Sequence, residues 1–288
     1  MNPSTRNREI RSKIAKETLD ILEQGFYTIP SGTRITIRDE VETAVAKSVL
    51  YAPDQLPNML KEAGALNDRI AGNTPRIEVT NESTLAAAQR LVAQEGVAET
   101  VCLNFASAKN PGGGFLGGSQ AQEESLARSS ALYPCISQMT EMYDHNRGLK
   151  TCFYSDYMIY SPKVPVFRED RGSLLPQPYL VSMITAPAVN AGVVREREPE
   201  STSKIDTVML ERIRFILAVA VAHGQRAIIL GAYGCGVFRN DPKNVARLFK
   251  QALIDEGRAA WFDQIVFAIL DNSADKRTLN EFKMALEP

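Results

Sequence analysis

Apolar and polar residues follow one another along this chain in two patterns, one typical of strands and one of helices. Short runs rich in Val, Ile, Leu and Thr have the length and composition of strands. Longer segments repeat apolar residues every three or four positions, as amphipathic helices do. The predicted strands are 33–38, 76–80, 99–105, 179–185, 227–230 and 264–270. The predicted helices are a first one ending before Gly25, then 41–50, one from Asn81 or Ser83 to Gly96, and 121–132, 204–223, 242–256 and 274–286.

The order of these elements predicts an α/β fold. From residue 76 onwards strands alternate with helices, which is typical of a largely parallel or mixed sheet covered by helices on both faces. Near-continuous apolar strands such as 227–230 (AIIL) fit a sheet buried on both sides. Residues 1–75 are predicted to be a helical and strand extension, irregular over its Pro-bearing part 51–75. Since no polar hinge separates it from the core at 76–288, we expect one domain over 1–288.

Composition narrows the chemistry that this fold could perform. The 288 residues include 33 Lys and Arg against 34 Asp and Glu, and this balance argues against a broad basic face for nucleic acid. Two His and four scattered Cys argue against metal catalysis, structural zinc and a disulfide framework, so no cofactor is expected. No apolar run approaches the ~18–20 residues that span a bilayer, and the polar start resembles no signal peptide. We therefore expect a cytoplasmic enzyme or binding protein.

A glycine-rich loop directly follows the predicted strand that ends at Phe105. Glycine permits positive φ and a close approach of ligand to backbone, so consecutive amides here can form a nest for phosphate or diphosphate. The loop contains neither the P-loop pattern nor the dinucleotide-binding fingerprint. Read alone, such a run is more often a flexible surface loop. Its glycines are Gly112, Gly113, Gly114, Gly117 and Gly118.

Two adjacent carboxylates, Glu123 and Glu124, stand at the start of the helix that follows this loop, preceded by Gln122. Carboxylates favour a first helical turn on electrostatic grounds, so either one alone has a structural explanation. Neighbouring helical residues point about 100° apart, so the two cannot address the same atom. They suit a division of roles in which one acts as an acid and the other orients substrate hydroxyls. They do not form the opposed carboxylate pair of an ordinary glycosidase.

A second glycine loop, residues 231–242, also follows a buried strand. Its amides suit a diphosphate, and Phe238 is predicted either to lie against a sugar or base or to cover the strand–helix junction. Cys235 is expected to be a small buried residue rather than a nucleophile. Neither His145 nor His223 has a sequence context that supports catalysis. Between the two glycine loops, Asn190 follows a strand broken by proline and could read a base or close a turn.

These motifs together resemble the signature of bacterial-type poly(ADP-ribose) glycohydrolases. In that family a GGG loop is followed, after a short spacer, by QEE; here GGG is 112–114 and QEE is 122–124, with seven residues between them. Residues 231–242 (GAYGCGVFRNDP) resemble the second ligand loop of the family, and residues 184–192 (ITAPAVNAG) resemble its strand-end motif. The resemblance runs from about Arg76 to the C-terminus.

The resemblance implies a macrodomain-like fold, with a mixed sheet between helices and ADP-ribose bound at the strand ends. It implies that Glu124 is the general acid and then the base that activates water, and that Glu123 holds ribose hydroxyls. The expected substrate is poly(ADP-ribose) or ADP-ribosylated protein, the product is ADP-ribose, and no membrane or sequence-specific nucleic acid is involved. The residues that the resemblance places at the substrate are Asn104, Gly112, Gly113, Gly114, Gln122, Gly234, Cys235, Gly236, Val237 and Phe238.

Three other functions remain as alternatives at this stage. A macrodomain that binds ADP-ribose without hydrolysing it needs the glycine cradle but not the adjacent carboxylates. A hydrolase of single ADP-ribose units on protein or nucleic acid would use the same cradle and is hardly distinguished by the sequence. A nucleotide-dependent dehydrogenase lacks its fingerprint here.

Overall fold

The computed structural model describes residues 3–65 and 74–287, and a seven-stranded mixed sheet organises them. Its spatial order is β3-β6-β7-β5-β8-β9-β4. The five strands from β7 to β4 pair in parallel, whereas β3 and β6 pair antiparallel at one edge. A separate hairpin joins β1 and β2. The strands are β1 Phe26–Thr28, β2 Arg34–Thr36, β3 Val49–Tyr51, β4 Arg76–Thr80, β5 Thr100–Phe105, β6 Met158–Arg168, β7 Leu174–Ala186, β8 Ala227–Leu230 and β9 Gln264–Ala268.

Helices cover both faces of this sheet. Alternate residues of β5 face two separate cores: Val101 and Leu103 belong to one, and Cys102 belongs to the other. The α/β fold with a mixed sheet sandwiched by helices is therefore confirmed. The α-helices are α1 Pro3–Gln24, α2 Arg38–Ala46, α3 Leu56–Ala65, α4 Thr84–Gln89, α5 Gln122–Ser129, α6 Leu132–Ser137, α7 Thr140–Gly148, α8 Ala191–Arg197, α9 Ile205–Ala222, α10 Pro242–Lys250 and α11 Arg277–Leu286.

Local chemistry explains where two of these helices begin. The side chain of Ser83 accepts a hydrogen bond from the N–H of Ala86 and caps α4. Asp241 caps α10 by accepting from the N–H of Lys243, and Pro242 occupies the first turn, where its missing N–H costs nothing. Both helices follow strands of the main sheet, so each cap lies near the edge at which the parallel strands end.

The prediction for the N-terminal extension is wrong in two places. Helix α2 begins at Arg38 and ends at Ala46, and β3 replaces the end of the predicted helix 41–50. The stretch predicted to be irregular contains α3. Pro57 does not prevent this helix, because it occupies the first turn, where proline is tolerated. The part of that prediction that covers 66–73 lies outside the described residues. Strand β3 pairs with β6 and so extends the main sheet.

Two further differences concern the middle of the chain. Strand β6 is absent from the predicted elements, and its Pro162 and Pro165 are unfavourable in a strand. A register shift between Ser161 and Val164 accommodates Pro162, whereas Pro165 stays paired with Leu180. The predicted helix 121–132 ends at Ser129, since Ser130 is extended and bridges to β6. In the described part of the chain no helix combines the length and apolar character needed to cross a membrane.

Candidate active site

The candidate site lies where β5 ends beside β7, at the edge of the sheet that the parallel strands share. Asn104, completely buried, is paired in register with Thr185 and donates a hydrogen bond to its hydroxyl over 3.1 Å. The same amide nitrogen donates to Oε1 of Glu123 over 3.3 Å. Its Oδ1 atom is buried and has no hydrogen-bond partner among the described residues. This oxygen is an acceptor that no described group satisfies.

Glu123 is the buried member of the carboxylate pair, with 2% of its surface exposed. The backbone N–H of Ser107 donates to its Oε2 over 2.6 Å. Burial raises the pKa of Glu123 to about 8, although the hydrogen bonds from Ser107 and Asn104 act in the opposite direction. The side chain is therefore held largely in its neutral form at pH 7, and a neutral carboxyl can donate as well as accept a hydrogen bond.

Glu124 is half-buried and faces the glycine loop. Its Oε1 accepts a hydrogen bond from the backbone N–H of Gly114 over 3.0 Å. Gly112 and Gly113, which precede it, have φ of +71° and +59°, a conformation that places successive amides in a concave turn. The structure thus brings the acid candidate, its buried neighbour and the GGG loop together.

Gln122 has a different place from its two neighbours. Its amide oxygen accepts from the N–H of Phe105 over 2.9 Å, and its amide nitrogen donates to Leu103 O over 2.7 Å and to the hydroxyl of Thr84 over 3.1 Å. The side chain therefore hydrogen-bonds to the last residues of β5 and to the first residue of α4. We interpret Gln122 as a brace between the strand and α5; its predicted contact with substrate stays a prediction.

The second glycine loop is anchored to the loop that follows β7. Asn240 donates from its side-chain nitrogen to Val189 O over 2.8 Å and to Gly234 O over 3.1 Å. Gly234 has a φ of +72° and lies so close to Asn240 that a Cβ atom would be 2.6 Å from that nitrogen. The backbone N–H of Gly192 donates to Phe238 O over 3.0 Å. These hydrogen bonds attach residues 231–240 to the loop that follows β7.

The tip of this loop is open. Val237 is 79% exposed, and no atom lies within 4 Å of the position that a Cβ of Gly236 would occupy. Phe238 is half-buried and its ring centroid lies 5.8 Å from that of Tyr154. Cys235 is partly exposed and not fully buried as predicted, because it stands at the mouth of a cavity. Desolvation still raises the pKa of its thiol to about 12, so the side chain is protonated at neutral pH.

A cavity of about 820 Å³ lies beside the second glycine loop and extends along the ends of the strands; its lining does not include GGG, Glu123 or Glu124. Gln122 and Phe105 line it on one side, and Cys235 and Gly236 on the other. It continues past Ser83 to the residues that follow β9. Its volume is that of a small-molecule site, large enough for a nucleoside.

Four side chains that the sequence did not reveal hold the segment between GGG and QEE. Each donates to one of four consecutive carbonyl groups, at residues 116 to 119. Three of the donors lie on α1, more than 100 positions away in the chain, and no local pattern could have shown the pairing. The pairs are Ser12 to Leu116 O, Arg8 to Gly117 O, Arg11 to Gly118 O and Arg128 to Ser119 O.

The two histidines lie apart from this site. His223 is the C-cap of α9, and its Nε2 is 2.7 Å from the hydroxyl of Tyr51. His145 packs against the ring of Tyr157. Within residues 3–65 and 74–287, no group of three or more His, Cys, Asp or Glu side chains is placed to hold a metal ion.

A family model described as the catalytic domain of microbial-type PARG matches residues 15–169, more than half of the chain and the part that carries both GGG and QEE. The chain belongs to the microbial-type PARG family. No curated protein is similar enough to count as a match. The family that the GGG and QEE motifs indicated is thereby confirmed.

Solved structures of this family share the fold along nearly the whole chain. Poly(ADP-ribose) glycohydrolase from Thermomonospora curvata is 44% identical with a TM-score of 0.91, and the match covers 96% of this chain and 99% of that one. The same enzyme bound to the inhibitor ADP-HPD gives 43% identity, a TM-score of 0.88 and the same coverage. Poly(ADP-ribose) glycohydrolase from Deinococcus radiodurans in complex with ADP-ribose is 45% identical, with a TM-score of 0.80 and coverage of 86% and 97%.

Proposed function

We propose that this chain hydrolyses the ribose–ribose O-glycosidic bonds of poly(ADP-ribose) and releases ADP-ribose, with Glu124 as the general acid and base. The observation that carries the assignment of roles is the position of the Glu124 carboxylate. It is anchored by the Gly114 N–H at the glycine loop, next to a second carboxylate that is buried. A protein that only binds ADP-ribose requires no such pair.

The proposed reaction takes place in two proton transfers through Glu124. The carboxyl group gives its proton to the departing 2′-oxygen as the bond from that oxygen to C1″ breaks. A water molecule then forms the new bond to C1″ and gives a proton to the Glu124 carboxylate, which restores the acid. The sum is one water consumed, one glycosidic bond broken and two hydroxyl groups formed.

Glu123 and Asn104 are proposed to hold the ribose that reacts. The Oδ1 atom of Asn104 is buried without a partner among the described residues, so it can accept a hydrogen bond from a ribose hydroxyl. Glu123, with its pKa raised to about 8, can donate one from its neutral carboxyl. A neutral Glu123 places no negative charge beside the diphosphate of the substrate at pH 7.

The second glycine loop is proposed to hold the diphosphate through backbone amides, since Gly234 has a positive φ and forms a concave turn of the kind that binds anions. In the GGG loop the N–H of Gly113 donates to Asn110 O and that of Gly114 to Glu124, so the predicted diphosphate contact of this loop requires these groups to exchange partners when the substrate binds. Phe238 would then lie against the reacting ribose, and Val237 with Gly236 would cover the ligand from the open tip. The cavity of about 820 Å³ on the far side would receive the adenosine.

The mechanism needs no metal or cofactor, since the acid, the orienting groups and the anion-binding amides all come from the chain. We also propose that the protein acts in the cytoplasm. Its four cysteines are free thiols, which supports a reducing compartment.

Turnover of defined substrates tests this function. We expect the wild-type protein to release ADP-ribose from poly(ADP-ribose), and Glu124→Gln to slow release by roughly 10²- to 10⁴-fold while still binding ADP-ribose in calorimetry. Glu62→Gln, an exposed carboxylate on α3, is the control and should react normally. Normal turnover by Glu124→Gln would remove Glu124 from the mechanism, and release only from mono-ADP-ribosylated protein would favour the mono-ADP-ribosyl hydrolase.

A further inference from the structure

Tyr154 is held in a strained conformation beside Phe238. Its φ of +57° is unusual for a residue with a side chain, and such strain is often retained at functional sites. The fully buried Arg212 fixes this segment from within the core by donating to Phe153 O over 3.1 Å and to Tyr154 O over 3.4 Å. The Tyr154 ring lies 5.8 Å from the ring of Phe238 and is half-buried, so part of it remains accessible.

Lys109 is a second neighbour of the Tyr154 ring. Its ammonium group is 6.0 Å from the centroid of Tyr154, and the residue lies just before the GGG loop. Among the described residues no carboxylate forms a salt bridge with it. A half-buried lysine without a counter-charge, close to an aromatic ring, offers a nucleotide both a phosphate contact and a stacking surface.

This pair lies outside the large cavity, beside Phe238 and just before the GGG loop. The residues that line that cavity include Gln122, Cys235 and Gly236 but neither Lys109 nor Tyr154. In the proposed function the adenosine of the bound unit occupies the cavity and its reacting ribose lies against Phe238. Because Tyr154 is a neighbour of Phe238, the oxygen that departs from C1″ would lie near Tyr154 and Lys109. That oxygen belongs to the adenosine ribose of the neighbouring unit, which also bears a purine and a 5′-phosphate.

We propose that Tyr154 and Lys109 form a subsite for the leaving adenosine nucleotide, with the purine against the Tyr154 ring and its phosphate at the Lys109 ammonium. This proposal rests on the proposed function. The subsite would be filled by a polymer and left empty by free ADP-ribose. It would also be left empty by an ADP-ribose unit on a protein side chain, and so it would favour polymers over single modifications.

The test compares substrates that differ only in their leaving group. Tyr154→Asn removes the aromatic ring, and asparagine tolerates the positive φ of this position. Tyr154→Phe keeps the ring, and Lys109→Met removes the positive charge. Lys243→Met, an exposed lysine on α10, controls for the loss of charge. The substrates are poly(ADP-ribose) and an ADP-ribose derivative with a nitrophenyl group at C1″. Calorimetry measures the Kd of ADP-ribose for each variant.

We expect Tyr154→Asn and Lys109→Met to lower kcat/KM for the polymer roughly tenfold or more. For the nitrophenyl substrate kcat/KM should change less than about twofold, as should the Kd of ADP-ribose. Tyr154→Phe should restore polymer turnover, and Lys109→Met should also weaken the dependence of KM on salt. Equal losses on both substrates, or a weaker Kd for ADP-ribose, would overturn the subsite. If the wild-type protein released nothing from the polymer, the proposed function itself would fail, whatever the variants do.

Discussion

A Cβ atom on Gly113 would lie 2.5 Å from Oε1 of Glu124, closer than any unstrained contact. Gly113 also has a φ of +59°. The middle glycine of GGG thus packs directly against the last carboxylate of QEE. GGG and QEE pack against each other, and this contact accounts for their occurrence together.

Gly113→Ala should therefore displace the Glu124 carboxylate and lower kcat by at least about 10²-fold. Strain from the left-handed backbone should add a loss of about 1–2 kcal/mol in the free energy of unfolding. Gly96→Ala is the matched control, since Gly96 has a φ of +73° and open space around it. It should lose comparable stability and keep full activity. Equal activity in the two variants would show that the close approach to Glu124 has no catalytic consequence.

The raised pKa of Glu123 makes stability depend on pH in a predictable direction. The pKa rises from 4.5 to about 8, so the folded state binds this proton more tightly than the unfolded state does. The contribution of Glu123 to the free energy of unfolding is complete at low pH. It declines between about pH 4.5 and pH 8, by on the order of a few kcal/mol. Urea unfolding across this range measures the decline. Glu123→Gln cannot ionise, and its stability should change less over the same range; parallel curves would contradict the assignment.

The contacts from α1 should matter for catalysis more than for stability. The double variant Arg8→Ala, Arg11→Ala leaves the carbonyls of Gly117 and Gly118 without their donors. Each lost hydrogen bond contributes only about 1 kcal/mol, but the loop that carries GGG becomes free to move. We expect kcat/KM for poly(ADP-ribose) to fall about tenfold with a small change in Tm. Arg6→Ala, exposed on the same helix, is the control; an equal fall there would point to α1 as a whole.

Arg212 should contribute strongly to stability although it lies in an apolar helix. The side chain is fully buried, forms a salt bridge with Asp156 at 2.7 Å and donates to Pro187 O over 2.9 Å. Arg212→Met leaves the carboxylate and several carbonyls without a partner, so the free energy of unfolding should fall by about 3–5 kcal/mol. Arg214→Met, two positions along α9 and a quarter exposed, should lose only about 1 kcal/mol. Denaturant unfolding of both variants gives the comparison.

Short-range patterns predicted the elements that carry the site. The apolar run 227–230 gave β8, and glycines after β5 and β8 marked the two ligand loops, because strand ends and glycine clusters are both local features of the sequence. The adjacency of Glu123 and Glu124 on a helix also showed that they must face different directions. It could not show that Glu123 is the buried one, since this depends on its contacts with Ser107 and Asn104.

The missed features share a dependence on distant partners. Pro162 and Pro165 obscured β6, which pairs with β7 through two register shifts. Arg212 looks like an exposed position on a helix, and only the fold brings Asp156 to it. The donors on α1 reach their carbonyls across more than 100 residues. A single sequence contains no local signal for any of these pairings.

The position of β3 at the edge of the main sheet bears on how the protein unfolds. Three residues from the region that the sequence marked as an extension, Val49–Tyr51, hydrogen-bond to β6, and α3 belongs to the same core as α9. The first part of the chain is therefore bound to the rest through sheet and core alike. We expect it to melt in the same cooperative step as the sheet, so that calorimetry records one heat-absorption peak whose calorimetric and van't Hoff enthalpies agree.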